Sequence, residues 1–173
     1  YNSFEKAIEA IGESGTIKVI ESVNLNYGAN ITKDKDITLD LNGREIVTTV
    51  SITNYGKLKI IDSSTEQTGS LINTKTYALD NRNTGELTIE GGKYKTTENY
   101  AVLYNITGKV NVKNGTFESE KGYAIQNNAG TITIENARAT TKTSNVIDNN
   151  RTLVINGGYF YSEEKYALST TSD

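Results

Sequence analysis

The side chains of this 173-residue chain that could do chemistry are regularly spaced tyrosines and a few separated carboxylates. The dipeptide Tyr-Ala occurs four times, with its tyrosine at Tyr77, Tyr100, Tyr123 and Tyr166. A column of exposed tyrosine rings can dock sugar rings. The same rings stacked on one another would stabilise a repeat fold by about 0.5–1.5 kcal/mol per pair. These four tyrosines are our candidate ligand-binding residues, and we favour stacking as their main role.

The chain contains no histidine and no cysteine. Serine–histidine and cysteine–histidine nucleophilic sites, imidazole acid–base catalysis and His/Cys zinc sites are therefore excluded. Among the carboxylates, Asp80 and Asp148 are expected at equivalent places three repeats apart, about 14 Å along the axis. Glycosidase carboxylate pairs lie only about 5–5.5 Å or 6.5–9.5 Å apart. We predict no catalytic residue, no metal site and no cofactor.

Charge and hydropathy restrict the partners of the chain. The formal net charge is −3, and no basic cluster is present to neutralise phosphates, so a nucleic-acid partner is not expected. No apolar run approaches the roughly 20 residues of a membrane-spanning helix, so membrane insertion is not expected. A glycan or a surface protein remains the predicted kind of partner.

The Tyr-Ala dipeptides mark an internal repeat that must position these side chains. The first three tyrosines are 23 residues apart, and the last follows after 43, with Asn145-Val146 at the intermediate place. Each repeat contains a short apolar strand, a middle strand of alternating residues such as Leu87-Thr-Ile89, and a third short strand. The first apolar residues of the middle strands are Ile17, Ile37, Leu58, Leu87, Val110, Ile132 and Leu153. Three strands per 20–23 residues predict an all-β fold, a right-handed parallel β-helix of about seven coils.

An asparagine recurs at one corner of the repeat. Its predicted members are Asn54, Asn81, Asn105, Asn127 and Asn149. Side-chain amides stacked at the coil spacing can hydrogen-bond to one another and to the turn backbone. We predict a structural ladder, and we interpret the polar segment 63–69 as a loop inserted at a corner.

The two ends of the chain differ. Asn2-Ser-Phe-Glu5 resembles a capping box, and Phe4, Ala7, Ile8 and Ile11 share one helical face that Gly12 terminates. We predict a capping helix over residues 1–12, followed by one solenoid domain over 13–173. A new repeat starts at Tyr166 without a capping pattern. We expect the parent protein to continue, and the exposed strand edges to permit end-to-end association of this fragment.

Three segments carry a resemblance to a known family. They are Gly15-Thr-Ile-Lys-Val-Ile, Ile37-Thr-Leu-Asp-Leu-Asn-Gly-Arg-Glu-Ile and Asn54-Tyr-Gly-Lys-Leu-Lys-Ile-Ile-Asp-Ser-Ser. Together they resemble the opening of pectate-lyase-like β-helix domains in large secreted or wall-attached proteins of Gram-positive bacteria. The resemblance implies an extracellular location. It implies no particular activity, because that family includes adhesins and stalk segments as well as enzymes.

The sequence favours a non-catalytic extracellular module that serves as adhesin or spacer. One alternative is a glycan-binding face along the tyrosines. Another is the non-catalytic part of a polysaccharide lyase or hydrolase whose active site lies outside this segment. The Asn-Thr-Asp, Asp-Asp and Gly-His-Gly signatures of the hydrolases with this fold are absent.

Overall fold

The computed structural model describes residues 4–171, and within them one short helix precedes 19 strands. In chain order these are α1 (Phe4–Ala10), β1 (Ser14–Lys18), β2 (Val23–Leu25), β3 (Ala29–Ile31), β4 (Asp36–Asp40), β5 (Glu45–Thr48), β6 (Ile52–Asn54), β7 (Lys57–Ile61), β8 (Ser70–Asn73), β9 (Leu79–Asn81), β10 (Glu86–Thr96), β11 (Leu103–Asn105), β12 (Lys109–Ser119), β13 (Ile125–Asn127), β14 (Thr131–Ile134), β15 (Arg138–Thr141), β16 (Ile147–Asn149), β17 (Thr152–Ile155), β18 (Tyr159–Ser162) and β19 (Leu168–Thr170).

The strands stack in parallel as three faces of one solenoid. Sheet I contains β3, β6, β9, β11, β13, β16 and β19. Sheet II contains β1, β4, β7, the first parts of β10 and β12, then β14 and β17. Sheet III contains β2, β5, β8, the second parts of β10 and β12, then β15 and β18. Each coil adds one strand to each sheet, which confirms the predicted all-β parallel solenoid of about seven coils.

The register of sheet II follows the predicted apolar positions from the second coil onward. Ile37 pairs with Leu58, and Leu58 pairs with Leu87, although the inserted segment 63–69 separates them in the chain. The column then continues through Val110, Ile132 and Leu153. Alternate residues of each strand point into the core. A shift of the register by one residue would therefore turn the apolar side chains of that strand toward solvent.

The prediction for the first coil is wrong by two residues. Gly15 pairs with Ile37, whereas Ile17 pairs with Leu39. A Cβ on Gly15 would lie 2.6 Å from Cγ1 of Ile11, so the residue after the helix fills the space that a strand side chain fills in later coils. The apolar pattern of the sequence does not reveal Gly15 as a core position, because glycine has no side chain and Ile11 fills the space instead.

Helix α1 covers the first coil, as its pattern predicts. Ala7 and Ile8 are buried, and Phe4 and Ile11 pack against the core beside them. This apolar face closes one end of a sheet stack whose strand edges would otherwise be open.

The end of α1 is fixed by a glycine and a lysine. Gly12 follows the helix with φ of +72°, a left-handed conformation that glycine adopts without steric cost. The Lys35 ammonium donates to the carbonyl of Ile8 at 3.0 Å and also to that of Gly12. A cation therefore satisfies carbonyl groups that the helix itself leaves free. The predicted N-cap at Asn2 lies outside the described residues.

Candidate functional site

The candidate site lies on the outer face of sheet I, where one side chain per coil points away from the core. In coil order, the paired residues of this outer column are Asn30, Thr53, Asp80, Tyr104, Gln126, Asp148 and Ser169. Their neighbours along each strand enter the core, as Leu103 and Asn105 do on either side of Tyr104. The fold thus lines up carboxylate, aromatic and amide groups along the solenoid axis.

Three tyrosines form a contiguous cluster on this face. The ring of Tyr77 stacks on that of Tyr104, with centroids 4.4 Å apart and planes 22° apart. Tyr100 meets Tyr77 edge to face, with centroids 5.1 Å apart and planes 82° apart. Burial, and the nearby Tyr104 and Asp80, raise the pKa of Tyr77, so its hydroxyl stays protonated and can donate. We call Tyr77, Tyr100 and Tyr104 the tyrosine cluster.

The cluster arises because Tyr100 does not lie in register with the other tyrosines of the predicted Tyr-Ala column. Leu103 pairs with Leu79, but Tyr77 precedes its leucine by two residues and Tyr100 precedes its own by three. This coil carries one additional residue. Tyr100 is therefore set back by one position, and Tyr104 provides the ring that stacks on Tyr77.

Tyr123 and Tyr166 keep the predicted position in their coils, two residues before the paired Ile125 and Leu168. Tyr123 is half-buried, and burial together with Asp148 raises its pKa. Tyr166 is 74% exposed. Within residues 4–171 no ring contact joins either of them to the tyrosine cluster. The structure therefore unites two of the four candidate tyrosines and adds Tyr104, which the sequence did not indicate.

An ion pair between a buried carboxylate and a half-exposed arginine adjoins the cluster. Arg82 donates from Nε and Nη2 to one oxygen of Asp80, Oδ2, at 2.8 and 2.7 Å. The Asp80 side chain is 3% exposed and that of Arg82 is 40% exposed. Burial raises the pKa of Asp80 even though Arg82 opposes the shift. The second carboxylate oxygen, Oδ1, has no hydrogen-bond donor among the described residues.

A second column, which sequence reasoning missed, holds the turns that carry the tyrosines. Its members end the strands of sheet III and are buried polar residues: Thr48, Asn73, Thr96, Ser119 and Thr141. Asn73 Oδ1 accepts from the Thr76 amide at 2.7 Å, directly before Tyr77. Thr96 Oγ1 donates to the carbonyl of Tyr100 at 3.0 Å. From the second coil onward, each strand of sheet III ends in Thr, Ser or Asn, and this recurrence is the sequence signal that would have revealed the column.

The asparagine corner forms a continuous ladder of side-chain hydrogen bonds. Asn54 Nδ2 donates to Asn81 Oδ1 at 2.8 Å. The next three bonds, through Asn105 and Asn127 to Asn149, measure 2.9, 3.0 and 2.8 Å. This is the arrangement that the sequence predicts, and it ties five successive coils together along one edge.

The ladder also serves the turn that follows each asparagine. Asn81 Nδ2 donates to the carbonyl of Gly85 at 3.0 Å, and Asn127 Nδ2 to that of Gly130 at 3.2 Å. Glycines are needed there because a Cβ on Gly85 would lie 2.6 Å from Asn81 Oδ1. The ladder begins at Asn54, because the residue paired with it on the preceding coil is Ile31, which has no side-chain donor. Asn54 Oδ1 accordingly has no hydrogen-bond donor among the described residues.

The inserted segment 63–69 is organised by one carboxylate, Asp62. Its Oδ1 accepts from the amides of Gly43 and Ser64 at 2.8 and 3.1 Å, and its Oδ2 accepts from the Gly69 amide at 2.6 Å. Burial alone would raise the pKa of Asp62, but these bonds and the Ser64 hydroxyl outweigh it and hold the pKa below its ordinary value. The negative charge is therefore favoured by the folded state.

We expect Asp62→Asn to lower the free energy of unfolding by roughly 1.5–3 kcal/mol near neutral pH, because an amide nitrogen cannot accept from Gly69. A lowered carboxyl pKa stabilises the fold above the unfolded pKa, and this contribution is lost as pH falls through the folded pKa. The difference between variant and wild type should therefore shrink toward about pH 3. Urea titrations at both pH values measure it, with the exposed Glu66→Gln in the same loop as control. An equal difference at both pH values would contradict this account.

The buried and outer-column aspartates are either far apart along the axis or already hydrogen-bonded to turn residues. Asp80 and Asp148 lie three coils apart in register, as predicted. Asp40 accepts from Ser63 and Asn42 in the same way that Asp62 binds its turn. Within residues 4–171 no three acidic side chains converge in a group suited to a metal ion. In that same range no helix is long and apolar enough to cross a membrane.

Comparison with known proteins adds no relative. No protein-family model, no curated protein and no solved structure matches the chain. The resemblance to pectate-lyase-like domains therefore rests on the residues alone, and the structure supports the coarser statement that the chain is a parallel β-solenoid.

Chemically, the outer face of sheet I is suited to binding. The tyrosine cluster offers aromatic surface and hydroxyl groups, and the half-exposed Arg82 offers donors. In the outer column of sheet I, the residues paired with Asp80 on the two adjacent coils are Thr53 and Tyr104, and neither is a carboxylate.

Proposed function

We propose that this domain is a non-catalytic module of a secreted or surface-attached protein, acting as a rigid spacer with an adhesive face. The observation that carries the proposal is the uninterrupted stacking of seven coils, held by a continuous core and the asparagine ladder. A solenoid of this kind contacts only its neighbouring coils and presents long, flat outer faces. Such faces suit extended contact with a partner.

The extracellular location and the finer assignment to pectate-lyase-like domains are part of the same proposal. Their support is the sequence resemblance in the first three coils. In the third of these coils, Asn54 ends β6, Tyr55-Gly56 forms the turn into β7, and Asp62-Ser-Ser leads into the inserted segment.

The proposal is tested by assaying purified domain for polysaccharide cleavage. We expect no release of reducing ends and no unsaturated uronate absorbance with polygalacturonate, hyaluronan, xylan or mixed-linkage β-glucan. The physical reason is that Asp40 and Asp62 are engaged by turn donors, and that Asp80 and Asp148 lie three coils apart, about 14 Å, which exceeds glycosidase distances. A polysaccharide lyase on the same substrates serves as the positive control. Turnover by this domain alone would refute the proposal.

The assay must be repeated with the full-length protein if that is longer. Turnover by the full-length protein, together with an inactive domain, would support the alternative of a lyase or hydrolase with its active site elsewhere. An inactive full-length protein would support the spacer.

A further inference from the structure

We propose that the tyrosine cluster, with the Asp80–Arg82 pair beside it, is a binding site for an uncharged polysaccharide laid along the solenoid axis. The inference rests on the proposed adhesive role and names the class of ligand. We call Tyr77, Tyr100, Tyr104, Asp80 and Arg82 the sheet I site.

The aromatic part of the site is exposed but rigid. Tyr100 is 41% exposed, and Tyr77 and Tyr104 are half-buried. Stacking between Tyr77 and Tyr104 fixes both rings, so little conformational entropy is lost when a ligand binds. Tyrosine combines an apolar ring with a polar hydroxyl, which matches the apolar faces and hydroxyl rims of a sugar ring.

The polar part of the site contains a charged group without its full set of partners. Both bonds from Arg82 go to Asp80 Oδ2, and Oδ1 is a buried acceptor with no donor among the described residues. Because Oδ1 is buried, a ligand on this face would contact the half-exposed Arg82 and not this oxygen. The 40% exposure of Arg82 leaves further N–H groups for ligand oxygens.

Electrostatics decides the charge of the ligand. Arg82 is neutralised by Asp80, and the next carboxylate on this face, Asp148, accepts from Gln126 Nε2 at 3.0 Å rather than from a cation. The site therefore has no free positive charge, and the chain as a whole carries −3. An acidic polymer would be repelled, whereas hydroxyl groups can use both the donors and the acceptors.

The spacing of the outer column favours a polymer. Coils repeat at about 4.8 Å, which is close to the size of one pyranose ring. Asp80, Tyr104 and Gln126 occupy successive coils in register. A linear chain of sugars parallel to the axis would therefore advance by about one sugar unit per coil and would meet Tyr104 and Gln126, which are both partly exposed.

Affinity electrophoresis tests the site with the whole domain. Native gels contain one of four neutral polysaccharides (mixed-linkage β-glucan, xylan, galactomannan or dextran) or one of two acidic ones (polygalacturonate or hyaluronan). We expect at least one neutral polymer to retard the protein and neither acidic polymer to do so. Tyr104→Ala should weaken the retarding interaction about tenfold or more. Tyr161→Ala, on the outer face of sheet III and 49% exposed, is the matched control and should change it by less than about twofold.

Circular dichroism shows whether each variant is folded. If Tyr104→Ala disturbs the fold, Tyr100→Ala takes its place, because that ring is more exposed. Absence of retardation by all four neutral polymers overturns the inference. Retardation by the acidic polymers alone overturns it too, as does an equal effect of Tyr161→Ala. None of these outcomes bears on the spacer proposal, which the cleavage assay decides separately.

Discussion

Replacing Phe117 by alanine should lower the free energy of unfolding by about 3–5 kcal/mol, the largest effect that we expect from one substitution. Phe117 is fully buried, and its ring stacks on that of Tyr94 with centroids 5.1 Å apart and planes 16° apart. The next coil offers only Ala139 at the paired position. A cavity would therefore remain, because the methyl group of Ala139 is too small to fill the space that the Phe117 ring leaves.

Urea unfolding followed by circular dichroism measures this loss. Tyr161→Ala is the control, because Tyr161 lies two coils later on the outer face of the same sheet and is 49% exposed. We expect it to change stability by less than about 1 kcal/mol. A loss below about 1 kcal/mol for Phe117→Ala would show that the ring does not lie in a packed core.

The second large effect is expected at the centre of the asparagine ladder. Asn105 accepts from Asn81 Nδ2 at 2.9 Å and donates to Asn127 Oδ1 at 3.0 Å. Asn105→Ala leaves Asn127 Oδ1 buried without that donor, which we expect to cost about 2–4 kcal/mol in unfolding free energy. The Asn81 Nδ2 group loses its acceptor on Asn105 but still donates to the carbonyl of Gly85, so this group is not left without a partner.

The exposed neighbour Asn128→Ala is the matched control for this experiment and should be close to neutral. Asn105→Asp adds a sharper test of the ladder, because it places a carboxylate oxygen against Asn127 Oδ1 where a donor is needed. We expect it to be at least as destabilising as Asn105→Ala near neutral pH. Tolerance of Asn105→Asp would contradict the hydrogen-bond direction along the ladder.

Much of the fold follows from local sequence. Leu87-Thr-Ile89 and its equivalents alternate at period two, and each repeat keeps nearly the same length, so the strands and their approximate register can be inferred without a template. The asparagine ladder is equally accessible, because one residue type recurs at one corner. The exception at Gly15 shows the limit: there the core position is filled by Ile11 from outside the repeat.

The candidate site is less accessible from sequence. The Tyr-Ala dipeptides indicate a column, but a single additional residue in the coil of Tyr100 shifts that ring and brings Tyr104 onto Tyr77. The role of Arg82 is also hidden, because the burial of its partner Asp80, which is 3% exposed, is visible only in the structure.

The sequence by itself determined the repeat, the number of coils, the helical cap and the ladder, because each depends on residue types at fixed spacing along the chain. Only the tertiary structure decided which outer side chains meet: the tyrosine cluster, the Asp80–Arg82 pair with its unpaired Oδ1, and the polar turn column of sheet III. Contacts between coils depend on how each corner absorbs additional residues. That is settled by the packing of the whole stack and not by any one repeat.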